Sequence, residues 1–256
     1  MQVSATKIFR GPPLELVPQV LFSDNHLLVI SKPAGMPSQP DHSGATSVYD
    51  WATAHIREEK GKVDGNVFCG IVHRLDRNVS GVMVLARTSK GASRLGAAWT
   101  SGKVKKGYLA LVSPPPQWTE EQLLVHHLER VDKTRRTTVH QHPGKHTKVA
   151  RTRVTVVASQ EDVALVNLVP ETGRPHQLRA QMSVVGSPIL GDRKYGSSRL
   201  EVGLCLHAFT LSIPHPTKGE VLTISVPPPR SWRAMMEVPQ PFEHPQQLVV
   251  TGGAEP

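Results

Sequence analysis

The sequence holds only two cysteines, Cys69 and Cys205, far apart and in no Cys-x-x-Cys spacing. It therefore reads as an intracellular protein with reduced thiols rather than a disulfide scaffold. Long apolar runs are missing too. None approaches the roughly 20 residues that span a bilayer, so no membrane partner is expected. The opening MQVSATKIFRGPP lacks the apolar core of a secretory signal. Lys7 and Arg10 suit an organellar leader, but the segment is short and weakly amphipathic. The expected compartment is the cytoplasm, with an organelle such as the mitochondrion left open.

Acid is the third scarcity, and it is local. From Arg77 to Thr119 there is no Asp or Glu, against seven Lys and Arg. Residues 130–153 add eight basic side chains against Asp132 alone, so these two segments hold half of all the basic residues in a chain of net charge +9. Residues 1–76 are near neutral. Such clustering favours a polyanionic partner, and nucleic acid is the first candidate.

What is present points to one domain. A hydrophobic content of 38% over 256 residues can bury a sizeable core. QVLFSDNHLLVISKPAG predicts two strands about a turn at Ser23 to Asn25. SVYDWATAHIREEKG predicts a helix with a capping-box start at Ser47 and Asp50 and an end at Gly61. GVMVLART is a buried strand, Ser89 opens a helix that closes near Gly102, and KKGYLALV is a strand with Lys106, Tyr108 and Ala110 on one face. Val154–Val157 and Val163–Val169 are further strands. Pro175 to Val185 reads as a helix with proline in its first turn, and a closing hairpin turns around Thr217 to Glu220. Strands outnumber helices and short turns join them, so the fold class is α+β, with a mixed, mainly antiparallel sheet and flanking helices. The expected divisions are an extension at 1–18, a catalytic domain at 19–230, and a flexible Pro-rich tail at 231–256.

Two clusters could carry chemistry. Asp76 stands beside Arg74 and Arg77, which favour its ionised form and so a nucleophile or base over a general acid. ETGRPHQLRAQM places Arg174, His176, Gln177 and Arg179 around a helix start, able to bind a phosphate or hold a carboxylate. His126, His127, His140, His142 and His146 invite a metal reading. Zinc wants cysteine or a fixed His and carboxylate set, so no metal is expected.

IVHRLDRNVSG resembles the HRLD-x-x-T-S-G signature of RluA-type pseudouridine synthases. Other stretches follow that family in order: LFSDNHLLVISKPAG, VKKGYLALV, TGRPHQLR, GSPILGDRKYG and LHAFTLSIPHPTKGE, over about residues 19–229. The resemblance implies a pseudouridine synthase fold and the isomerisation of a specific uridine in rRNA or tRNA. Because substrate and product are isomers, it implies no cofactor. By position, Asp76 would be the catalytic carboxylate, Arg179 its partner, and Tyr108 a base that stacks near the target uracil. Arg74 would help displace the target nucleotide and Leu178 would line the pocket. His73, Lys106, Arg174, His176 and Gln177 complete the expected substrate-binding set. A uridine in structured RNA must be flipped out first, and contacts from the basic segments to phosphates can offset that cost.

Val79 stands where the family usually has Thr, which would loosen a hydrogen bond behind Asp76. Pro175 replaces Thr or Lys and removes an RNA contact. With some 18 residues before the first matching strand, a stand-alone enzyme without the N-terminal S4 module is expected, acting as a monomer. Its substrate grip would come from a strand-and-loop insert at 126–153. The alternative is a non-catalytic RNA-binding factor on the same scaffold, for example in ribosome assembly.

Overall fold

The computed structural model describes residues 16–61, 66–131, 136–199 and 202–252. Lys7 and Arg10, most of the 1–18 extension, and residues 132–135 of the basic insert lie outside the described residues.

The chain begins with β1 (Gln19–Ser23) and β2 (Leu27–Lys32), joined by a turn in which Asp24 Oδ1 accepts the N–H groups of His26 and Leu27 at 2.8 Å each. Helix α1 (Val48–Glu59) follows. Ser47 and Asp50 form the reciprocal capping box that their spacing predicted. Next come β3 (Gly70–Ile71), β4 (Ser80–Ala86) and helix α2 (Ser89–Thr100), which Thr88 caps by accepting the Gly91 N–H. Strands β5 (Lys105–Val112), β6 (Gln122–Val131), β7 (Arg136–His140), β8 (Lys148–Gln160) and β9 (Val163–Pro170) form an antiparallel run. Helix α3 (Gln177–Val184), β10 (Leu206–Pro214), β11 (Glu220–Ser225), a 3-10 helix (Arg230–Ala234) and β12 (Leu248–Gly252) close the fold.

All twelve strands of the described residues share one sheet, in the order β1-β2-β4-β10-β5-β9-β8-β6-β7, with β3 on β4 and β11 and β12 beyond β10. It is mixed and mainly antiparallel, as expected. The one parallel pair joins β4 to β10 through His207↔Ser80 and Ala208↔Gly81. A Cβ at Gly81 would sit 2.2 Å from the Ala208 carbonyl oxygen, and Gly81 has φ +116°, so only glycine fits this join.

Around β2 and β4 the sheet is buried on both faces. Leu28 and Ile30 of β2 enter one core with α1, while Leu27 and Val29 enter a second core with α2. This is why β2 and β4 read as unbroken apolar runs instead of alternating ones.

Four expectations need correction. The strand expected at Val154–Val157 extends from Lys148 to Gln160, and the insert at 126–153 is a ladder of β6, β7 and the start of β8 rather than one strand with a loop. The third helix starts at Gln177, because His176 adopts a left-handed φ of 52° as its N-cap, which leaves Pro175 outside the first turn. The tail expected to be flexible is docked as far as Gly252, the last described residue: Trp232, Met236 and Val238 are buried in the larger core, Phe242 packs on Phe209, and β12 pairs with β11. A Pro-rich stretch shows no period, yet β11 offers an open edge whose backbone groups need partners.

Candidate active site

The segment carrying Asp76 runs between β3 and β4, and the neighbouring loop after β2 fixes it. Ser38 Oγ donates to the Leu75 carbonyl at 2.7 Å and accepts the Leu75 N–H at 3.2 Å. The Gly35 N–H donates to the Arg77 carbonyl at 2.8 Å, and Arg77 Nε donates back to the Gly35 carbonyl at 2.9 Å. Lys32, fully buried at the end of β2, donates from Nζ to the carbonyls of Pro33, Met36 and Arg77 at 2.9, 2.8 and 3.0 Å. Burial pulls the Lys32 amine down to about 7, against the attraction of the Asp76 carboxylate. Only the ammonium has three N–H groups for three acceptors, so the carbonyl cage favours the charged form.

Val79, the first departure from the family pattern, is 3% exposed and packs in the larger core. Its N–H donates to the Asp76 carbonyl at 3.0 Å, so the backbone closes the turn behind Asp76 without a threonine hydroxyl.

Asp76, Tyr108 and Arg179 line one cleft of about 1210 Å³, together with all seven expected substrate-binding residues. That exceeds the roughly 300–1000 Å³ of small-ligand pockets and suits a flipped nucleotide with its neighbours. Arg179 Nη1 lies 3.2 Å from Asp76 Oδ2. The same guanidinium makes a two-pronged pair with Asp192, at 2.7 Å from Nε and 2.8 Å from Nη2. Although burial opposes the Arg179 charge, the Asp192 and Asp76 carboxylates outweigh it and raise its pKa. Arg179 is thus a charged bridge between one carboxylate open to the cleft and one with no side-chain exposure. Tyr108 reaches the cleft from β5, where burial and then the Asp76 charge push its phenol up to about 12. Its hydroxyl is protonated at neutral pH.

The seven expected substrate-binding residues divide into two groups. Leu178 is a buried wall, the Arg74 guanidinium is exposed and donates to Gln39 Oε1 at 3.1 Å, and Arg174 Nε donates to the Val149 carbonyl at 3.0 Å. Burial lowers the Lys106 ammonium, and among the described residues no carboxylate pairs with it. His176 Nε2 lies 3.7 Å from Asp76 Oδ2, and burial lowers its pKa. The other two are engaged within the fold. His73 Nε2 accepts the Val84 N–H at 3.0 Å, its ring stacks on Trp99 with centroids 4.6 Å apart, and burial drives it down to about 3. Gln177 accepts from the Thr172 hydroxyl and the Arg174 N–H and donates to the Arg151 carbonyl and Thr152, which uses up its amide.

Sequence reasoning missed Asp192, Tyr195 and Lys32. The first two stand in GDRKYG, a turn that says little by itself, and their importance arises only because that loop folds back against α3. Lys32 lay in a quoted motif, but a lysine there reads as surface until its burial is known.

The basic segments are also less free than their composition implies. Arg87 pairs with Glu59 at 2.7 Å, Arg94 donates to the Pro216 carbonyl, and Arg151 and Arg153 both bind Glu171. Lys90, Lys103, Lys105, Lys145 and Lys148 remain exposed. His126 is buried against Gln181, and His140 pairs with Glu129. Among the described residues no group of three or more His, Cys, Asp or Glu is arranged to hold a metal.

Comparison with known proteins agrees with this geometry. Residues 26–184 match the family model described as RNA pseudouridylate synthase. The chain is 35% identical over 222 residues to the dual-specificity RNA pseudouridine synthase RluA of Haemophilus influenzae, covering 84% of this chain and 95% of that one. It is 34% identical to the protein of the same name from Salmonella typhimurium, over 85% of this chain and 96% of that one. Among solved structures, human RNA pseudouridylate synthase domain containing 4 superimposes with a TM-score of 0.70 at 26% identity, covering 84% of this chain and 90% of that one. A match across most of the chain, in line with an arginine-held carboxylate in the cleft, shows that the protein belongs to the RNA pseudouridylate synthase family.

Proposed function

We propose that the cleft isomerises a uridine of rRNA or tRNA to pseudouridine, with Asp76 as the catalytic carboxylate. The observation that carries the reading is the convergence of Asp76, Arg179 and Tyr108 on one cleft, with Arg179 Nη1 3.2 Å from Asp76 Oδ2. The target nucleotide flips into the cleft, exchanging its stack for protein walls. There the N1–C1′ bond breaks, the uracil turns, and a C5–C1′ bond forms. C5 loses its proton and N1 gains one, so the atoms balance without an oxidant or a second substrate. Asp76 attacks or stabilises the sugar or the base during this exchange, and Arg179 fixes the direction its oxygens face. Tyr108, on the same cleft, is the group assigned to take the departing C5 proton, but its phenol is protonated. To accept that proton it must first give up its own, and Asp76, whose charge it already feels, is the nearby acceptor. Lys106 and Arg74 supply positive charge at the cleft, and exposed Lys103, Lys105 and Lys148 extend it toward flanking phosphates.

The test is tritium release from RNA labelled at uracil C5. Wild type should release label, and Asp76→Asn should release none while binding RNA with unchanged affinity, since the amide keeps volume and removes charge. Tight RNA binding without release by the wild type would overturn the catalytic reading in favour of a binding factor.

A further inference from the structure

The loop between α3 and β10 carries one buried phenol, Tyr195, 6% exposed, that the expected catalytic set does not use. Its hydroxyl oxygen accepts the backbone N–H of Thr137 on β7 at 2.8 Å and lies 2.9 Å from His176 Nδ1. Its ring lies between two guanidiniums, Arg179 at 5.2 Å and Arg136 of β7 at 5.6 Å. Two more straps leave β7: Thr137 Oγ1 donates to the Pro175 carbonyl at 2.8 Å, and Arg136 donates to the Lys194 carbonyl. Strand β7, from the basic insert, is therefore tied both to the segment that bears His176 and Arg179 and to the loop that bears Asp192.

The contacts of the ring favour one tautomer. Burial lowers the His176 pKa, which favours the neutral ring with its proton on one nitrogen. If Nδ1 carried it, the bare Nε2 lone pair would face the Asp76 carboxylate 3.7 Å away, which is repulsive. With the proton on Nε2, the ring directs an N–H at that carboxylate while Nδ1 accepts the Tyr195 O–H. Asp76, Asp192, Arg179 and Lys194 are the charged groups that act on this ring, and Tyr195 is its hydrogen-bond partner.

We propose that Tyr195 is a positioning residue for the isomerisation, coupling the β6–β7 hairpin to Asp76 through His176 and Arg179. The inference rests on the proposed catalytic role of Asp76 and deepens it. The arm expected to meet the RNA backbone and the carboxylate that acts on the nucleotide are set by one contact network, with the phenol at its centre.

Tyr195→Phe keeps the ring between the guanidiniums and removes the oxygen. Thr137→Val keeps the backbone N–H and removes the strap to Pro175. Both variants, alone and together, would be assayed for single-turnover tritium release and for RNA affinity, with circular dichroism establishing that each is folded. Tyr195→Phe should slow release about tenfold or more with RNA affinity within about twofold of wild type. The double variant should lose less than the product of the single losses. Nitrogen NMR of the His176 ring should show the Nε2–H form in wild type and a displaced Nδ1 signal in Tyr195→Phe, where that nitrogen loses its hydrogen bond, a change that loss of packing alone would not produce. Release at the wild-type rate, multiplicative losses or an unchanged Nδ1 signal would each overturn the coupling. Absence of release in the wild type would instead remove the catalytic reading itself.

Discussion

Arg179 concentrates more consequence than any other side chain in the cleft, because it neutralises two carboxylates of different exposure. Asp76 retains access to solvent, whereas Asp192 has none. Truncating Arg179 leaves Asp192 buried and unpaired, at a cost of about 3–5 kcal/mol. Arg179→Ala should therefore melt well below wild type and release no tritium, whereas unchanged melting would mean that water reaches Asp192. Tyr108 gives a second prediction through its titration. Its folded pKa lies near 12, above the ordinary value of 10.0, so the folded state holds that proton more tightly than the unfolded chain. The resulting stability is fully present below about pH 10 and is lost as pH rises to about 12, amounting to roughly 3 kcal/mol. Wild type should thus lose stability across that alkaline window more steeply than Tyr108→Phe, and parallel melting curves would refute it.

At the level of elements, the Asp76 segment is rigid because its neighbours supply backbone partners. The end of β2 provides Lys32 and the following turn provides Gly35 and Ser38, so three residues from another part of the chain hold a short stretch that forms no ladder of its own. Only the fold brings them together. The docked C-terminal segment is the other element whose role composition concealed. Trp232 is 3% exposed and its ring lies edge-on to His207, the histidine that joins Ser80 to the Val226 carbonyl beside the β4–β10 junction. Trp232→Ala should cost about 3–5 kcal/mol in chemical denaturation. A truly flexible tail would show no change.

Across the whole molecule, charge governs how RNA is held. The chain carries +9, yet several arginines of the basic segments are engaged by Glu59, Glu171 or backbone carbonyls. Binding should therefore follow the exposed lysines and cleft cations rather than the total count. About six phosphate contacts predict that affinity falls roughly a thousandfold between about 50 and 200 mM salt. A slope near zero would show that phosphates contribute little.

Much of the architecture was legible because local signals agreed: the Ser47 and Asp50 box starts α1, the Asp24 turn joins β1 to β2, and apolar runs mark strands buried on both faces. The expected site residues converge because each lies in a motif of fixed local geometry. The sequence alone determined the family, most of the element types before the last segment and the residues that line the cleft, since these depend on short spacing and side-chain chemistry. Tertiary structure decided that Asp192 and Tyr195 flank Arg179, that His73 and Gln177 serve the backbone, and that the segment from Trp232 to Gly252 docks. Those facts depend on which distant groups a buried polar atom finds as partners, and no local pattern records that pairing.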